Sequence, residues 1–178
     1  MNGVVTLLDG EQEQQVRALW ANLEREFGLR GAGITPYPHF SYQVAEEYEL
    51  QKLVPILERI ALDSAPFHVR AGGLGVFTSA WPVLYLPVVR SPELTRFHHR
   101  IWHEVSRAAT GIVAYYQVDR WLPHVTLAER DLDRERLPDV VRWLTEHAVD
   151  LDIAVDNIAL IYDSGISQEL HLKLHLGG

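Results

Sequence analysis

The chain has 178 residues, of which 47% are hydrophobic and 22% are charged, and it contains no cysteine. This composition is typical of one ordinary globular domain and excludes a disordered chain, a disulfide scaffold and any thiolate site. No apolar run approaches the ~18 residues of a membrane span, and residues 1–8 lack the pattern of a secretory signal. We therefore expect a cytoplasmic protein with no membrane partner.

Acidic residues outnumber basic residues by 24 to 16, which gives a net charge of −8 with histidine neutral. Affinity for long nucleic acid comes mostly from neutralising phosphates, so we expect weak binding to a long duplex. A small phosphorylated ligand held in a local pocket is still compatible with this balance. The nine histidines are more than expected and are the first candidates for a functional site.

The apolar pattern of the first half predicts strands and helices in alternation. Residues 4–8 form a short strand, and Asp9 begins a capping-box pattern at the start of a helix that ends at Gly28. Residues 39–43 form the next strand. The following helix is placed from Pro55 onward, because a proline inside a helix lacks the N–H and clashes with the preceding turn.

The same alternation continues through the rest of the chain. Further strands are predicted at residues 67–71, 83–88, 124–128, 158–162 and 170–176. One helix begins at Ser91 with Pro92 at its first position, which proline favours. Another follows Pro138 and extends to Ala148. No low-complexity segment or charged linker divides the chain, so residues 1–178 are expected to form a single bilobal domain.

Two segments, one in each half, share a four-residue pattern. Pro38-His39-Phe40-Ser41 matches Pro123-His124-Val125-Thr126 in residue type at every position. A helix that starts with proline follows each segment, 16 residues after His39 and 14 residues after His124, and two further strands follow each helix. The pattern predicts a duplicated unit in which two copies of a His-x-Ser/Thr strand face each other.

Strand geometry places the polar residues of each motif together. Side chains alternate between the two faces of a strand, so His39 and Ser41 share one face, and His124 and Thr126 share another. The apolar residues between them face the helices. If the halves pack around a pseudo-twofold axis, two imidazoles and two hydroxyls converge on one cleft. The predicted fold is therefore α+β, with antiparallel sheets flanked by helices in two lobes around a central cleft.

Two imidazoles in one cleft suit acid–base chemistry at neutral pH. An unperturbed histidine titrates near ~6.5, so one ring can be neutral while the other is protonated. One ring then takes a proton from a nucleophile and the other gives a proton to the leaving oxygen. The hydroxyls of Ser41 and Thr126 can donate to non-bridging phosphoryl oxygens. This arrangement serves the opening or transesterification of a phosphodiester without a metal.

The paired motifs resemble the two-histidine (2H) phosphoesterase superfamily, which includes 2′,3′-cyclic nucleotide phosphodiesterases and bacterial 2′-5′ RNA ligase-like proteins. Residues 123–130 are the closer match, whereas the first motif has Ser41 for the commoner threonine and Tyr42 where leucine is usual. The resemblance covers nearly the whole chain. It implies a bilobal α+β fold, both histidines lining a central cleft, no metal or other cofactor, and a cyclic or linear phosphodiester as substrate.

Other side chains are candidates for binding the substrate. Tyr85 and His171 lie in strands of similar pattern, Leu-x-Leu, and are interpreted as equivalent positions that line the cleft or face solvent. Arg130 reaches a second phosphate or lies on the surface. Lys173 and His175 can bind phosphate. In the interpretation that we favour, their charge instead prevents an edge strand from pairing with another chain. The aromatic residues that can stack on a base, or belong to the core, are Phe77, Trp81, Tyr115, Tyr116 and Trp121.

The function expected from the sequence is hydrolysis of a 2′,3′-cyclic phosphate, or transfer at a 2′-5′ or 3′-5′ linkage, on a nucleotide or RNA end. His124 is expected to be the base and His39 the acid, although the pseudo-twofold makes the opposite assignment equivalent. The protein is expected to be a monomer.

Two alternatives remain open from the sequence. One is a non-catalytic RNA- or nucleotide-binding module on the same fold. The other is a metalloprotein built on His98, His99 and His103, of which the last two share a helix face.

Overall fold

The computed structural model describes residues 1–147, 149–164 and 167–177. The helices in these ranges are α1 (Gly10–Phe27), α2 (Leu50–Leu62), α3 (Pro92–Val105) and α4 (Leu137–Glu146). The strands are β1 (Asn2–Leu7), β2 (His39–Tyr48), β3 (Phe67–Gly72), β4 (Gly75–Phe77), β5 (Val83–Pro87), β6 (Ala109–Ile112), β7 (His124–Ala128), β8 (Asp150–Val155), β9 (Asn157–Asp163) and β10 (Gln168–His175). The predicted alternation of helices and strands is confirmed, while Ala148 lies outside the described residues.

Three antiparallel sheets organise the chain. The largest has the strand order β10-β9-β1-β2-β6, a second has the order β4-β5-β7, and β3 pairs with β8 in a third. Helical packing against one face of the large sheet buries Phe40 and Tyr42 of β2 completely. The residue between them on β2, Ser41, faces the opposite side, which is the side of the cleft.

The pairing of the strands shows how the two halves are related. The order β1-α1-β2-α2-β3-β4 in the first half corresponds to β5-α3-β7-α4-β8-β9 in the second. Strand β1 pairs with β2, and in the same way β5 pairs with β7. Each half also contributes one strand to the sheet of the other half: β9 pairs with β1, and β4 pairs with β5. The β3–β8 pair joins the two halves directly. The α+β fold with two antiparallel, helix-flanked lobes is confirmed.

The boundaries of the repeat differ from those predicted. The second half begins at β5, so Tyr85, which lies opposite Thr126, corresponds to Val5, which lies opposite Ser41. His171 lies on β10, a strand outside the repeat. The predicted equivalence of Tyr85 and His171 is therefore wrong. The shared Leu-x-Leu pattern does not specify which strand each segment pairs with.

Both motif strands contain a bulge directly after the hydroxyl residue. In the first, Val5 pairs with Ser41 and Val4 with Gln43. In the second, Tyr85 pairs with Thr126, and the next pair along these strands is Leu84 with Ala128. A bulge adds one residue and so reverses the side-chain alternation that follows it. The next residue to face the cleft is consequently the fifth after each histidine.

Two helix starts differ from the prediction. Asp9 lies at the N-cap of α1 but its side chain makes no capping hydrogen bond; its carboxylate instead accepts from Nζ of Lys173 at 2.7 Å. Helix α2 begins at Leu50 and contains Pro55. Pro55 is exposed, so water can reach the backbone carbonyl that its missing N–H leaves without a partner. Among the described residues, no helix is both long and apolar enough to cross a membrane.

Candidate active site

A cleft of about 490 Å³ lies between the large sheet and the β4-β5-β7 sheet. Both motif pairs line it, so the predicted convergence of His39, Ser41, His124 and Thr126 on one cleft is confirmed. Other lining side chains that carry polar or aromatic groups are Asn2, Trp20, Thr35, Phe77, Tyr115, Tyr116, Glu129, Arg130 and Gln168.

The two imidazoles are held in the same way. Nδ1 of His39 lies 2.7 Å from the carbonyl oxygen of Tyr37, and Nδ1 of His124 lies 2.7 Å from that of Leu122. A carbonyl only accepts, so Nδ1 carries the proton in each ring and Nε2 is left for a ligand. Each ring can therefore accept a proton at Nε2 or, once protonated, donate one.

The environment of the cleft favours the neutral form of both rings. Burial lowers the pKa of His39 to about 4; the hydrogen bond to the Tyr37 carbonyl opposes this shift, and the charge of His124 adds to it. Burial also lowers the pKa of His124, against the effect of the Leu122 carbonyl. The two sites are coupled, so a proton taken up by one ring discourages uptake by the other.

Tryptophan side chains fix the backbone beneath both hydroxyl residues. Nε1 of Trp121 donates to the carbonyl oxygen of Ser41 at 2.8 Å, and Nε1 of Trp20 donates to that of Thr126 at 3.0 Å. The Ser41 hydroxyl also interacts with the hydroxyl of Tyr116, whose pKa is raised to about 12 by burial. Tyr116 is therefore a neutral donor at physiological pH, directed at the same part of the cleft as Ser41.

His98 belongs to the support of this site and is not part of a metal cluster. Its ring stacks on Trp121 with centroids 3.7 Å apart, and its Nε2 lies 3.1 Å from the carbonyl oxygens of Tyr42 and Tyr116. His99 and His103 are exposed on α3, and no group of three potential ligands is found among the described residues. The three histidines do not converge, so the metalloprotein alternative loses its proposed ligand set.

Aromatic rings surround His124 and set it apart from His39. Its centroid is 4.9 Å from that of Phe77, 5.0 Å from that of Tyr85 and 6.3 Å from that of Tyr115. Phe77 stacks on Tyr85 with centroids 4.2 Å apart, and of these two rings only Phe77 lines the cleft. Tyr85 therefore lies against His124 without itself lining the cleft.

Several predicted residues lie elsewhere. His171 is exposed and contacts Tyr162 at the bulge of β10, and His175 is exposed at the end of the same strand. Lys173 is bound to Asp9. Trp121 is completely buried, whereas Trp81 is 58% exposed in the turn after Phe77. The prediction that His171 lines the cleft is wrong. Strand β10 is at the edge of the large sheet, and its residue that lines the cleft is Gln168, which comes before the bulge.

Two neighbouring charges line the cleft at the end of β7. Arg130, for which a phosphate contact and a surface position were both open, lines the cleft with a partly exposed side chain and has a positive φ of 68°. Glu129 was not predicted, because strict alternation from His124 places it on the apolar face. The bulge turns it into the cleft instead. The sequence did contain a signal for this bulge, because Glu129 is a charged residue at a position that strict alternation would bury.

The comparisons with known proteins agree with this architecture. The model of the 2′-5′ RNA ligase superfamily matches residues 8–166. A protein of Oceanobacillus iheyensis, whose name classes it provisionally as a phosphoesterase, is 25% identical over 84% of this chain and 82% of its own. A similarly named protein of Bacillus cytotoxicus is 27% identical over 79% of both chains.

The fold itself has a solved counterpart. The crystal structure of TT0787 from Thermus thermophilus matches 99% of this chain and 98% of its own with a TM-score of 0.66, at 18% sequence identity. This likeness shows the fold. The family match covers most of the chain, including both histidine motifs. The chain therefore belongs to the 2′-5′ RNA ligase superfamily.

Proposed function

We propose that this protein is a phosphoesterase that acts on a 2′,3′-cyclic phosphate, or on a 2′-5′ or 3′-5′ phosphodiester, of a nucleotide or RNA end. The observation that carries the proposal is the matched pair of imidazoles, each with Nδ1 held 2.7 Å from a carbonyl oxygen and Nε2 left for a ligand in one cleft. The superfamily and the names of the relatives support phosphoesterase- or ligase-type chemistry.

The proposed reaction uses each imidazole once. A neutral ring takes a proton from water while the water oxygen bonds to phosphorus. The bond from phosphorus to one ribose oxygen breaks, and the protonated ring gives its proton to that oxygen. Hydroxyls of Ser41, Thr126 and Tyr116 donate to the non-bridging oxygens as their charge grows. The rings end with the proton exchanged between them and a phosphomonoester as product.

The surroundings of the two rings bear on which ring is the acid. Burial lowers the pKa of both rings, that of His39 to about 4, and the charge of His124 adds to the shift of His39. The aromatic rings around His124 add attraction for its protonated form. We propose His124 as the acid and His39 as the base, the reverse of the assignment first expected. In the reverse reaction the roles exchange.

Binding of the phosphate adjusts the protonation of the pair. With both pKa values lowered, both rings are neutral at pH 7 in the free protein. A phosphodiester anion between them favours the protonated form and raises the pKa of the nearer ring. The phosphodiester anion that we propose as ligand belongs to a nucleotide or an RNA end. We also propose that the protein is a cytoplasmic monomer.

The test of this proposal is a pair of substitutions, His39→Ala and His124→Ala. Each is expected to lower turnover of 2′,3′-cyclic mononucleotides by roughly 10²–10⁴-fold, because each removes one proton-transfer partner. The assay includes EDTA and identifies which monophosphate isomer is formed. Matched controls are His99→Ala and His171→Ala, which remove exposed imidazoles outside the cleft.

Wild-type turnover in either cleft variant, with circular dichroism unchanged, would remove the catalytic proposal. Retained binding of a cyclic nucleotide with no turnover in the wild-type protein would instead favour the non-catalytic binding module. Activity lost in EDTA and restored by a divalent cation would contradict the metal-free reaction.

A further inference from the structure

The two halves of the cleft differ at one pair of equivalent positions. Val44 is the fifth residue after His39 and Glu129 is the fifth after His124, and both line the cleft beyond the bulge of their strand. Among the described residues that line the cleft, Glu129 is the only acid. The two halves thus give the cleft an apolar side chain at one of these positions and a carboxylate at the other.

The backbone that carries Glu129 is tightly fixed. A Cβ added to Gly31 would lie 1.7 Å from the carbonyl oxygen of Glu129, so the two backbones are in direct contact. The same carbonyl accepts from the N–H of Asp131 at 2.8 Å, and the Asp131 carboxylate accepts from the N–H groups of Arg30 and Gly31. The Glu129 carboxylate therefore extends into the cleft from a rigid position.

This carboxylate has a neighbouring cation, Arg130, which also lines the cleft. Its ion pair with Arg130 is long, at 4.0 Å, and the Arg130 side chain is 55% exposed while that of Glu129 is 29% exposed. Water screens the exposed guanidinium more than the partly buried carboxylate. Burial raises the pKa of Glu129, because a partly buried carboxylate is poorly solvated. The charge of Glu129 also raises the pKa of Tyr116, which lies beside Ser41.

The charge of the proposed ligand changes during the reaction. A cyclic or linear phosphodiester carries one negative charge, whereas the phosphomonoester product carries about −1.5 to −2 at pH 7. The repulsion from a fixed carboxylate is proportional to the charge of the ligand. It is therefore about twice as large for the product dianion as for the substrate monoanion.

We propose that Glu129 is a specificity-determining residue that makes the cleft discriminate against phosphomonoester dianions, so that diesters bind and the opened product is expelled. This inference rests on the proposed function, because it concerns the same phosphate position. It predicts a preference for one phosphate charge state. It also gives the carboxylate a role in turnover, since product release limits the rate of many enzymes.

The test compares two ligands that differ by one methyl group. One is a 2′-O-methyl nucleoside 3′-phosphate, a dianion at pH 7.5, and the other is its methyl phosphodiester, a monoanion without an attacking 2′-hydroxyl. Calorimetry at low salt measures both dissociation constants for the wild-type protein, Glu129→Gln and Glu129→Val, the last of which copies Val44. The control is Glu58→Gln, which removes the same charge from the exposed face of α2.

Glu129→Gln is expected to strengthen diester binding about threefold and monoester binding about tenfold. The repulsion energy is proportional to the charge of the ligand, so doubling that charge squares the change in the binding constant. Glu129→Val is expected to act in the same direction, and Glu58→Gln to leave both constants unchanged. Equal gains for the two ligands, or a loss for both, would overturn the inference. A wild-type protein that binds neither ligand and opens no cyclic phosphate would overturn the proposed function as well. Turnover of a cyclic phosphate, with the same ratio of monoester to diester dissociation constants in the wild-type protein and Glu129→Gln, would overturn this inference alone.

Discussion

His39 and His124 are alike in their hydrogen bonds and unlike in their surroundings. Both have Nδ1 bound to the carbonyl two residues earlier, so both present Nε2 to a ligand. His124 is bordered by Phe77 and Tyr85, whereas the aliphatic cluster that includes Val5 lies beneath the His39 side of the cleft. A repeat that is symmetric in its backbone therefore holds two imidazoles in different surroundings.

The pH dependence of kcat/KM follows from these pKa shifts. In the proposed mechanism, the active form of the free protein has one neutral and one protonated ring. Because the pKa values of both His39 and His124 are lowered below ~6.5, this form becomes scarce as the pH rises above that value. The value of kcat/KM is expected to be bell-shaped, with its maximum below pH 6.5 and a fall of about tenfold per pH unit on the alkaline side.

The measurement is steady-state kinetics of a cyclic mononucleotide from pH 4 to pH 9. The profile of kcat is expected to lie at higher pH than that of kcat/KM, because the bound anion raises the pKa of the ring that must be protonated. A kcat/KM that stays level between pH 6 and pH 9, with chemistry limiting the rate, would contradict the paired-imidazole mechanism.

A single glycine also determines the shape of the cleft. Gly31→Ala would place its Cβ 1.7 Å from the carbonyl oxygen of Glu129, which is backbone and cannot rotate away. The substitution is expected to lower the free energy of unfolding by about 3 kcal/mol, at the upper end of what overpacking costs. Urea denaturation measures the change.

Gly33→Ala is the matched control, because a Cβ there meets no atom within 4 Å. It is expected to change the free energy of unfolding by less than about 1 kcal/mol. Equal effects of the two substitutions would show that the close approach of residues 31 and 129 is not maintained.

Among the secondary-structure elements, β2 and β7 decide which side chains of the two motifs face the cleft. Both strands have the same burial sequence, in which two consecutive buried residues follow the hydroxyl residue. The bulge that produces this pattern moves Val44 and Glu129 onto the cleft face. Without the bulge, the carboxylate of Glu129 would face the apolar core and would have to be desolvated there.

Helix α2 offers a test of an element that lies away from the cleft. Pro55 is exposed in the interior of this helix, where proline costs about 3 kcal/mol relative to alanine. Proline also restricts the unfolded chain, which offsets about 1 kcal/mol of that cost. Pro55→Ala is therefore expected to raise the free energy of unfolding by about 2 kcal/mol with unchanged activity.

Thermal and urea denaturation of Pro55→Ala measure this gain, and Glu58→Ala, an exposed substitution in the same helix, is the control with an expected change within about 0.5 kcal/mol. A loss of stability in Pro55→Ala would mean that α2 depends on the proline, for example to set its direction.

At the scale of the whole domain, exchange of strands between the halves creates the cleft. Because β9 joins the first half's sheet and β4 joins the second's, neither half can form its sheet alone. The β3–β8 pair holds the halves together at the same time. The cleft is consequently a product of the complete fold, and the two histidines meet only when both halves are in place.

The net charge of −8 leads to an expectation about nucleic acid. Binding to a long duplex requires many neutralised phosphates, and this chain carries more acids than bases. We expect a dissociation constant for an RNA duplex of about 30 base pairs to exceed about 100 µM at physiological salt, the weak end of non-specific binding. Fluorescence anisotropy with a labelled duplex measures it, and a short single strand with a cyclic phosphate end is the comparison. Tight duplex binding that weakens steeply with salt would contradict the expectation.

The alternation of helices and strands, the two His-x-Ser/Thr motifs and their shared face could all be predicted from the sequence, because they depend on local side-chain periods. The pairing of the strands could not. The correspondence of Tyr85 with Val5, the exclusion of His171 and the exchange of β4 and β9 emerged only in the folded chain, since pairing is set by contacts between distant residues.

Glu129 shows the physical reason most clearly. Alternation from His124 is a rule about neighbouring residues, and one extra residue in the strand reverses it. Whether that bulge forms depends on the register between β5 and β7, where Leu84 and Ala128 form the pair that follows Tyr85 and Thr126. The motif histidines precede the bulge and could be placed from sequence, whereas the charge that lies beyond it could be placed only by the assembled sheet.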